Sequence, residues 1–220
     1  MKSLLCAFAM LMLLLFSNAA QTMQTPTPVV SVPSSDRSGT VRVPSPRGRY
    51  VLIGTTVRTD LPTARCPSCY SLVAKLWLED SLSHTRKLLL APGSSASAGW
   101  SPDGGAFFID DREASDEEFA YLYQTASLKK MNLDDEILAA DPRAKRFLEG
   151  HFYFKVNRWL GNGAVEVSLS GHTDDAPVQC FLLRYRVSQS GTVRKLSQDE
   201  RPVDRTFCSW MDGGPTRKKR

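Results

Sequence analysis

Cysteines are the residues with the clearest chemical potential in this sequence. Cys6 lies in an apolar N-terminal run, and four more follow at Cys66, Cys69, Cys180 and Cys208. An even number of cysteines in an exported chain is typical of disulfide bonds, and four of them allow three pairings. The sequence leaves the pairing open, but it favours Cys66–Cys69 within one loop and Cys180–Cys208 across the C-terminal hairpin.

The close spacing of Cys66 and Cys69 also raises redox and metal chemistry. A Cys-x-x-Cys redox site needs a helix N-terminus to stabilise the thiolate, whereas residues 72–78 alternate as in a strand. A four-cysteine zinc site needs a second close pair, and Cys180 and Cys208 stand alone. Structural disulfides are therefore favoured. A thiol oxidoreductase using Cys66 and Cys69 stays as an alternative.

Two polar segments are further candidates for a site. His172, Thr173, Asp174 and Asp175 follow a predicted strand and form a candidate polar loop site. Residues 110–118 are rich in carboxylates, which bind calcium or serve a hydrolase. Because this stretch lacks the alternation and the glycine of a calcium loop, no metal site is predicted. A hydrolase using this acidic loop is the other enzyme alternative.

The motifs that usually announce catalysis are missing from the sequence. None of the three histidines lies near a serine or cysteine in a Gly-x-Ser-x-Gly setting. The sequence also lacks a phosphate-binding glycine loop and a dinucleotide fingerprint. No catalytic residue and no cofactor is predicted. The four tryptophans and several tyrosines are mostly expected in the core.

The N-terminal 20 residues have the three parts of a secretory signal peptide. Lys2 precedes the apolar run from Leu4 to Phe16, and small residues end it at Ala19 and Ala20. About 13 apolar residues are too few to span a bilayer. We expect cleavage after Ala19 or Ala20, an exported protein that is periplasmic or secreted, and no transmembrane span after cleavage.

The charge balance argues against a nucleic-acid partner. The chain has 28 basic and 23 acidic residues, and Lys2 is the only charged residue of the signal. Four of the remaining bases form the C-terminal Arg217–Arg220 run, so the rest of the mature chain is formally neutral. A nucleic-acid-binding domain usually carries excess Lys and Arg over its body. Residues 211–220 are predicted to form a basic disordered tail.

Composition and periodicity divide the rest of the chain. Residues 21–49 are rich in Pro, Ser and Thr and predict an extended linker. Residues 50–210 alternate between apolar and polar side chains in many short runs, which predicts a β-rich domain. The exception is 133–149, where Asn132 precedes acids and leucines that favour a short helix.

Three segments of the β-rich domain follow one pattern. In each, an apolar strand and a polar turn lead to two bases and an aliphatic residue, at 86–88, 129–131 and 194–196. The successive pairs of basic residues begin 43 and 65 residues apart. The first spacing fits a propeller blade of roughly 40–45 residues. The second exceeds it by about the length of the predicted helix, which we interpret as an insertion.

A turn motif lies between the first two segments. Trp100, Ser101, Pro102, Asp103 and Gly104 predict a tight turn, with Gly104 at positive φ. This motif resembles the blade signature of Trp-Asp-repeat-like, TolB-like β-propellers. The resemblance covers residues 70–110 well and 110–196 loosely. It implies three blade-like antiparallel sheets, as a partial propeller or a small β-sandwich, with one short inserted helical segment.

The function expected from these patterns is binding. We expect an exported, non-catalytic binding or interaction protein of the bacterial envelope, whose partner is a protein or a small ligand. The alternatives are an inhibitor or immunity-type partner of a secreted enzyme, or one of the two enzymes named above. Three blades are fewer than the roughly four that close a propeller, so an oligomer is compatible with the pattern.

Overall fold

The computed structural model describes residues 28–33, 37–61, 68, 70–161, 163–174, 176–203 and 208. As the alternation predicts, these residues are mainly β, and they include one short α-helix and one 3₁₀ helix. The thirteen strands are β1 (Val29–Val32), β2 (Gly39–Pro44), β3 (Tyr50–Asp60), β4 (Tyr70–Asp80), β5 (Thr85–Leu90), β6 (Ser95–Trp100), β7 (Ala106–Arg112), β8 (Glu117–Gln124), β9 (Lys130–Asn132), β10 (His151–Leu160), β11 (Ala164–His172), β12 (Gln179–Ser188) and β13 (Val193–Pro202).

The strands form two sheets, where the repeat pattern indicated three. The larger sheet has the order β1-β6-β7-β8-β10-β11-β12-β13, with β9 paired to β8. The smaller sheet has the order β2-β3-β4-β5. All pairs are antiparallel except a short parallel contact between β8 and β10. This arrangement corresponds to the sandwich alternative, and the described strands form no closed propeller.

Each of the three repeated segments is an antiparallel hairpin. They are β4–β5, β8–β9 and β12–β13. The first lies in the smaller sheet, and the other two lie in the larger one. The inserted helical segment lies between the second and the third hairpin, as the spacing predicted.

The predicted linker is the main correction to the domain boundaries. Within 21–49, β1 pairs with β6 of the larger sheet, and β2 pairs with β3 of the smaller sheet. Val30 and Val32 are fully buried in the core between the two sheets. Burying these side chains stabilises order in a stretch whose proline, serine and threonine content favoured an extended linker. The ordered domain therefore begins before Tyr50.

Two hydrophobic cores share the central strands β7 and β8. On one face, side chains such as Phe107 and Tyr121 pack against the smaller sheet. On the other face, Phe108 and Leu122 pack into a core formed with β10–β12 and the helical segment. Most of the aromatic residues contribute to these cores, as expected. Phe107, for example, stacks on Tyr123 with ring centroids 5.0 Å apart.

The helical segment consists of α1 (Leu133–Ala140) and a 3₁₀ helix (Pro142–Phe147). Asn132 does not cap α1 through its side chain; it donates instead to Asp135 at 2.7 Å. Leu133 and Ile137, one turn apart, bury one face of α1 in the core. The helix ends at Asp141, where Pro142 starts the 3₁₀ turn.

The two predicted terminal segments are outside the described residues. The signal peptide (1–20) and the basic tail (211–220) therefore remain predictions. Among the residues that the structure describes, no helix is long and apolar enough to cross a membrane.

Candidate ligand-binding pocket

A cavity of about 650 Å³ lies between the helical segment and the β12–β13 hairpin. Ligand pockets in proteins typically enclose about 300–1,000 Å³. One wall is formed by residues 140–147 at the end of α1 and along the 3₁₀ helix. The other wall is formed by Leu183 and Tyr185 of β12 and by Val193, Lys195 and Gln198 of β13.

The floor of the pocket is apolar and rigidly packed. Phe147 packs on Phe181 beneath it, with ring centroids 4.4 Å apart. Ala144 and Leu183 are fully buried in the same core. Because these side chains belong to the hydrophobic core, the pocket exists before any ligand binds. Its floor favours the apolar part of a ligand.

A hydrogen-bonded triad lies at one side of this floor. The Oδ2 atom of Asp141 accepts from the Tyr185 hydroxyl at 3.0 Å and from the Lys195 ammonium at 2.8 Å. Asp141 follows α1 directly, while Tyr185 and Lys195 are register partners on β12 and β13. The triad therefore ties the inserted segment to the last hairpin and fixes the width of the pocket.

The polar rim continues from the triad along β13. Lys195 also donates to Gln198, and Gln198 donates to Glu200. Glu200 in turn accepts from Arg146 of the 3₁₀ helix at 2.6 Å. A continuous chain of hydrogen bonds thus runs from Tyr185 to Arg146 around the opening.

The ionisation states of the triad follow from these contacts. The hydrogen bond from Lys195, reinforced by the one from Tyr185, lowers the pKa of Asp141 below its usual value. Burial, followed by the hydrogen bond to Asp141, raises the pKa of Tyr185 above its usual value. At neutral pH the carboxylate is therefore ionised, and the phenol keeps its proton. In these protonation states, the triad holds the side chains of Asp141, Tyr185 and Lys195 in fixed orientations.

Arg143 is the remaining cation of the pocket wall. Its side chain is exposed, and within the described part of the chain it forms no ion pair. The carboxylates nearest in the rim, Asp141 and Glu200, are already bonded to Lys195 and Arg146. The guanidinium is consequently available to an incoming anion.

The pocket's lining combines apolar side chains with charged ones. No serine, cysteine or histidine is among the described residues that line it. Its one carboxylate, that of Asp141, is engaged by two donors. The arrangement can hold a ligand that has an apolar body and a negatively charged end.

The turn motif has a structural position away from this pocket. Ser101 donates to Asp103 at 2.6 Å, and the Gly105 amide donates to the same oxygen at 3.0 Å. Gly104 has a φ of +70°, in the left-handed region. Trp100 is 1% exposed and donates from its indole to the Val43 carbonyl at 3.0 Å, which links the two sheets. Pro102 is exposed at the corner.

Cys180 and Cys208 form a disulfide bond, with their Cα atoms 5.6 Å apart. Both side chains are buried. The bridge anchors the segment after β13 to the start of β12. Cys66 and Cys69 lie outside the described residues, so their pairing stays a prediction.

The candidate polar loop is also separate from the residues that line the pocket. His172 ends β11, and its ring stacks on that of His151 with centroids 4.4 Å apart. Its Nδ1 atom is 3.8 Å from an Asp174 oxygen. Thr173 is held by hydrogen bonds in both directions with the Gln179 backbone, and Asp175 is outside the described residues.

The acidic stretch 110–118 is divided between the two faces of β7 and β8. Asp110 is 1% exposed; its carboxylate accepts from the Val156 amide at 2.8 Å and from the Ser97 hydroxyl at 3.3 Å. Burial raises the pKa of Asp110 well above its usual value. Asp111 faces the other core. The described residues contain no group of three or more His, Cys, Asp or Glu that could hold a metal ion.

Sequence reasoning did not identify the pocket, because its walls are distant along the chain. Asp141 and Lys195 are 54 residues apart. The available signal was the insertion itself, since a segment added to a repeat must pack on a neighbouring hairpin. No protein-family model, curated protein or solved structure matches this chain.

Proposed function

We propose that this protein is an exported, non-catalytic binding protein of the bacterial envelope that takes a small amphipathic anion. The observation that carries the proposal is the preformed cavity with apolar side chains in its wall and with a guanidinium, that of Arg143, which forms no ion pair within the described residues. The ligand's apolar body would lie on Ala140, Pro142 and Val193, the apolar lining side chains that keep accessible surface. Its anionic end would form an ion pair with the guanidinium of Arg143.

The charges around the pocket favour a ligand with a single negative charge. Lys195 and Arg146 are each neutralised by a carboxylate, so Arg143 adds the only uncompensated charge among the described lining residues. An ion pair with an exposed side chain contributes up to about 1 kcal/mol, which corresponds to at most a roughly fivefold gain in affinity. An uncharged ligand of the same shape would lose this contribution.

The proposal also includes the cellular location of the protein and its descent from blade-like repeats. The signal pattern of residues 1–20 and the Cys180–Cys208 bridge both fit an oxidising compartment outside the cytoplasm. The three hairpins with their shared base-aliphatic ending support descent from blade-like repeats. In this view, the helical segment inserted into the last repeat converted a structural hairpin into a binding site.

Isothermal titration of the mature protein with octanoate and with octanamide tests the proposal. The two probes share one apolar chain and differ in charge. We expect octanoate to bind with one-to-one stoichiometry and octanamide to bind more weakly by up to about fivefold. Arg143→Gln should reduce the difference between the probes. Equal affinity for both probes, or no binding of either, would contradict the proposal.

A matched pair of tryptophan variants locates the binding event. Ala140 lines the pocket and its neighbour Ala139 does not, yet both are exposed at the end of α1. Ala140→Trp should fill the opening and abolish octanoate binding, while Ala139→Trp should bind like the wild type. If both variants bind normally, the ligand lies elsewhere.

A further inference from the structure

The outward face of the β10–β13 strands carries a second, independent feature. Five cationic side chains project from it around a single central carboxylate, that of Glu166. We call this set the cationic face: Lys155 and Arg158 of β10, Arg184 and Arg186 of β12, and Arg194 of β13. It lies on the opposite side of the β12–β13 ladder from the pocket, because alternate residues of a strand face opposite ways.

The strand register arranges these charges in two rows. The first row crosses the sheet through Arg158, Glu166, Arg186 and Arg194. The second row crosses through Lys155, Ser168, Arg184 and Ser197. Neighbouring strands are about 4.8 Å apart, so four strands present these charges over roughly 14 Å.

Glu166 is saturated by only part of this set. Its Oε2 atom accepts from Nη2 and Nε of Arg158 at 2.8 and 3.0 Å. Its other oxygen is 3.9 Å from Nε of Arg184. Arg186 lies directly opposite Glu166 in the register but forms no ion pair with it or with another described residue.

The pair of Arg186 and Arg194 is the informative part of the face. They are direct cross-strand partners, and like charges in this position destabilise a sheet. Arg194 is exposed and, like Arg186, has no ion-pair partner in the described part of the chain. Two guanidinium groups side by side match one phosphate bridged by both, since arginine binds phosphate in a bidentate way.

We infer that the cationic face binds a linear phosphate polymer without bases, of the polyol-phosphate kind. Its rows of charge require an anion that repeats along one direction. Single-stranded nucleic acids are normally held by aromatic stacking platforms as well as by cations. The two rows contain no aromatic side chain, and they contain no apolar side chain that would enter a membrane. Phosphate groups on a flexible backbone without bases fit this surface best.

The test is a titration of the full mature chain with a poly(glycerol phosphate) oligomer at several salt concentrations. We expect Arg186→Gln/Arg194→Gln to weaken binding at least tenfold at low salt. The variant should also show a smaller slope of log affinity against log salt, because fewer counterions are released. Its unfolding midpoint should be unchanged or higher, since a like-charge pair has been removed, so lost binding cannot be blamed on misfolding.

Three comparisons make the inference refutable. Arg143→Gln in the pocket should bind the oligomer like the wild type; a matching loss would place the anion in the pocket and overturn the inference. Tighter binding to an oligo(dT) of equal charge would identify a nucleic-acid surface instead. Tighter binding to phosphatidylglycerol vesicles would identify a membrane surface. An unchanged affinity in the double arginine variant would also contradict the cationic face as the site.

Discussion

The carboxyl group of Asp111 offers a quantitative test of how this fold holds buried charge. The residue is 3% exposed, and its Oδ1 atom has no hydrogen-bond partner among the residues that the structure describes. Burial, followed by the negative charge of Glu113, raises its pKa from 3.8 to about 6. Between about pH 4 and pH 6 the folded chain therefore binds more protons than the unfolded chain. Stability contributed by this group falls as pH rises through that window.

The expected magnitude follows from the shift. A rise from 3.8 to about 6 corresponds to roughly 3 kcal/mol of opposition to folding once the group is ionised in both states. Asp111→Asn removes the charge at nearly constant shape. The amide adds a buried donor whose desolvation costs about 1–3 kcal/mol at every pH. This desolvation cost is the same at every pH. The quantity to compare is therefore how the difference in unfolding free energy between the variant and the wild type changes with pH.

Urea unfolding of the wild type and of Asp111→Asn between pH 4 and pH 8 measures this quantity. We expect the variant to gain about 3 kcal/mol relative to the wild type on going from pH 4 to pH 7.5. Asp60→Asn, at a side chain that is 72% exposed, provides the matched control for removing one carboxylate from the chain. Parallel stability curves for the wild type and Asp111→Asn would refute the reasoning.

Three further predictions concern the turn, the disulfide and the N-terminus. Gly104→Val forces a β-branched residue to a φ of +70° and should lower the unfolding free energy by about 1–3 kcal/mol; an unchanged urea midpoint would contradict the strained turn. Removing the bridge in Cys180→Ala/Cys208→Ala opens a loop with a sequence separation of 28 and should cost roughly 3–4 kcal/mol by chain-entropy reasoning. Non-reducing peptide mapping should recover that bridge, and a peptide joining Cys180 to Cys66 would overturn it. N-terminal sequencing of the exported protein should begin at Ala20 or Gln21, and an intact Met1 would contradict the signal peptide.

Local patterns were sufficient to predict most of the β structure. Alternation over residues such as Leu76 and Leu78, with one face buried, indicated strands that the structure contains. The short helix at Leu133–Ala140 was predicted from the acids in its first turn and from Asn132 as its cap, although the Asn132 side chain makes no capping hydrogen bond. These features depend on interactions between near neighbours, which the sequence displays directly.

The linker prediction failed because composition outweighed periodicity. Val30 and Val32 alternate with exposed residues, as does Val43 with its neighbours, but prolines and serines surround both stretches. Such short strands are stable only when they pair with a neighbour. β1 pairs with β6, which is far along the chain, whereas β2 pairs with β3, which follows it directly. Pairing with other strands determines the conformation of these segments, and local composition does not predict that pairing.

The pocket could not be predicted from the sequence for a related reason. Tyr185 fits the core alternation, and Lys195 fits the basic ending of a hairpin, so neither residue pointed to a site. Only folding brings Asp141 between them. The cationic face is similar, because its rows arise from the register of four strands, and the charge balance of the mature chain before its basic tail is formally neutral.

Chemical-shift mapping of the mature, ¹⁵N-labelled protein with octanoate tests the central claim most directly. The account predicts that the largest saturable shifts occur at the amides of residues 140–147 and of Tyr185, Val193 and Lys195. The same shifts should be smaller with octanamide and absent in Ala140→Trp. Saturable shifts confined to other surfaces, or equal responses to the charged and the uncharged probe, would contradict it.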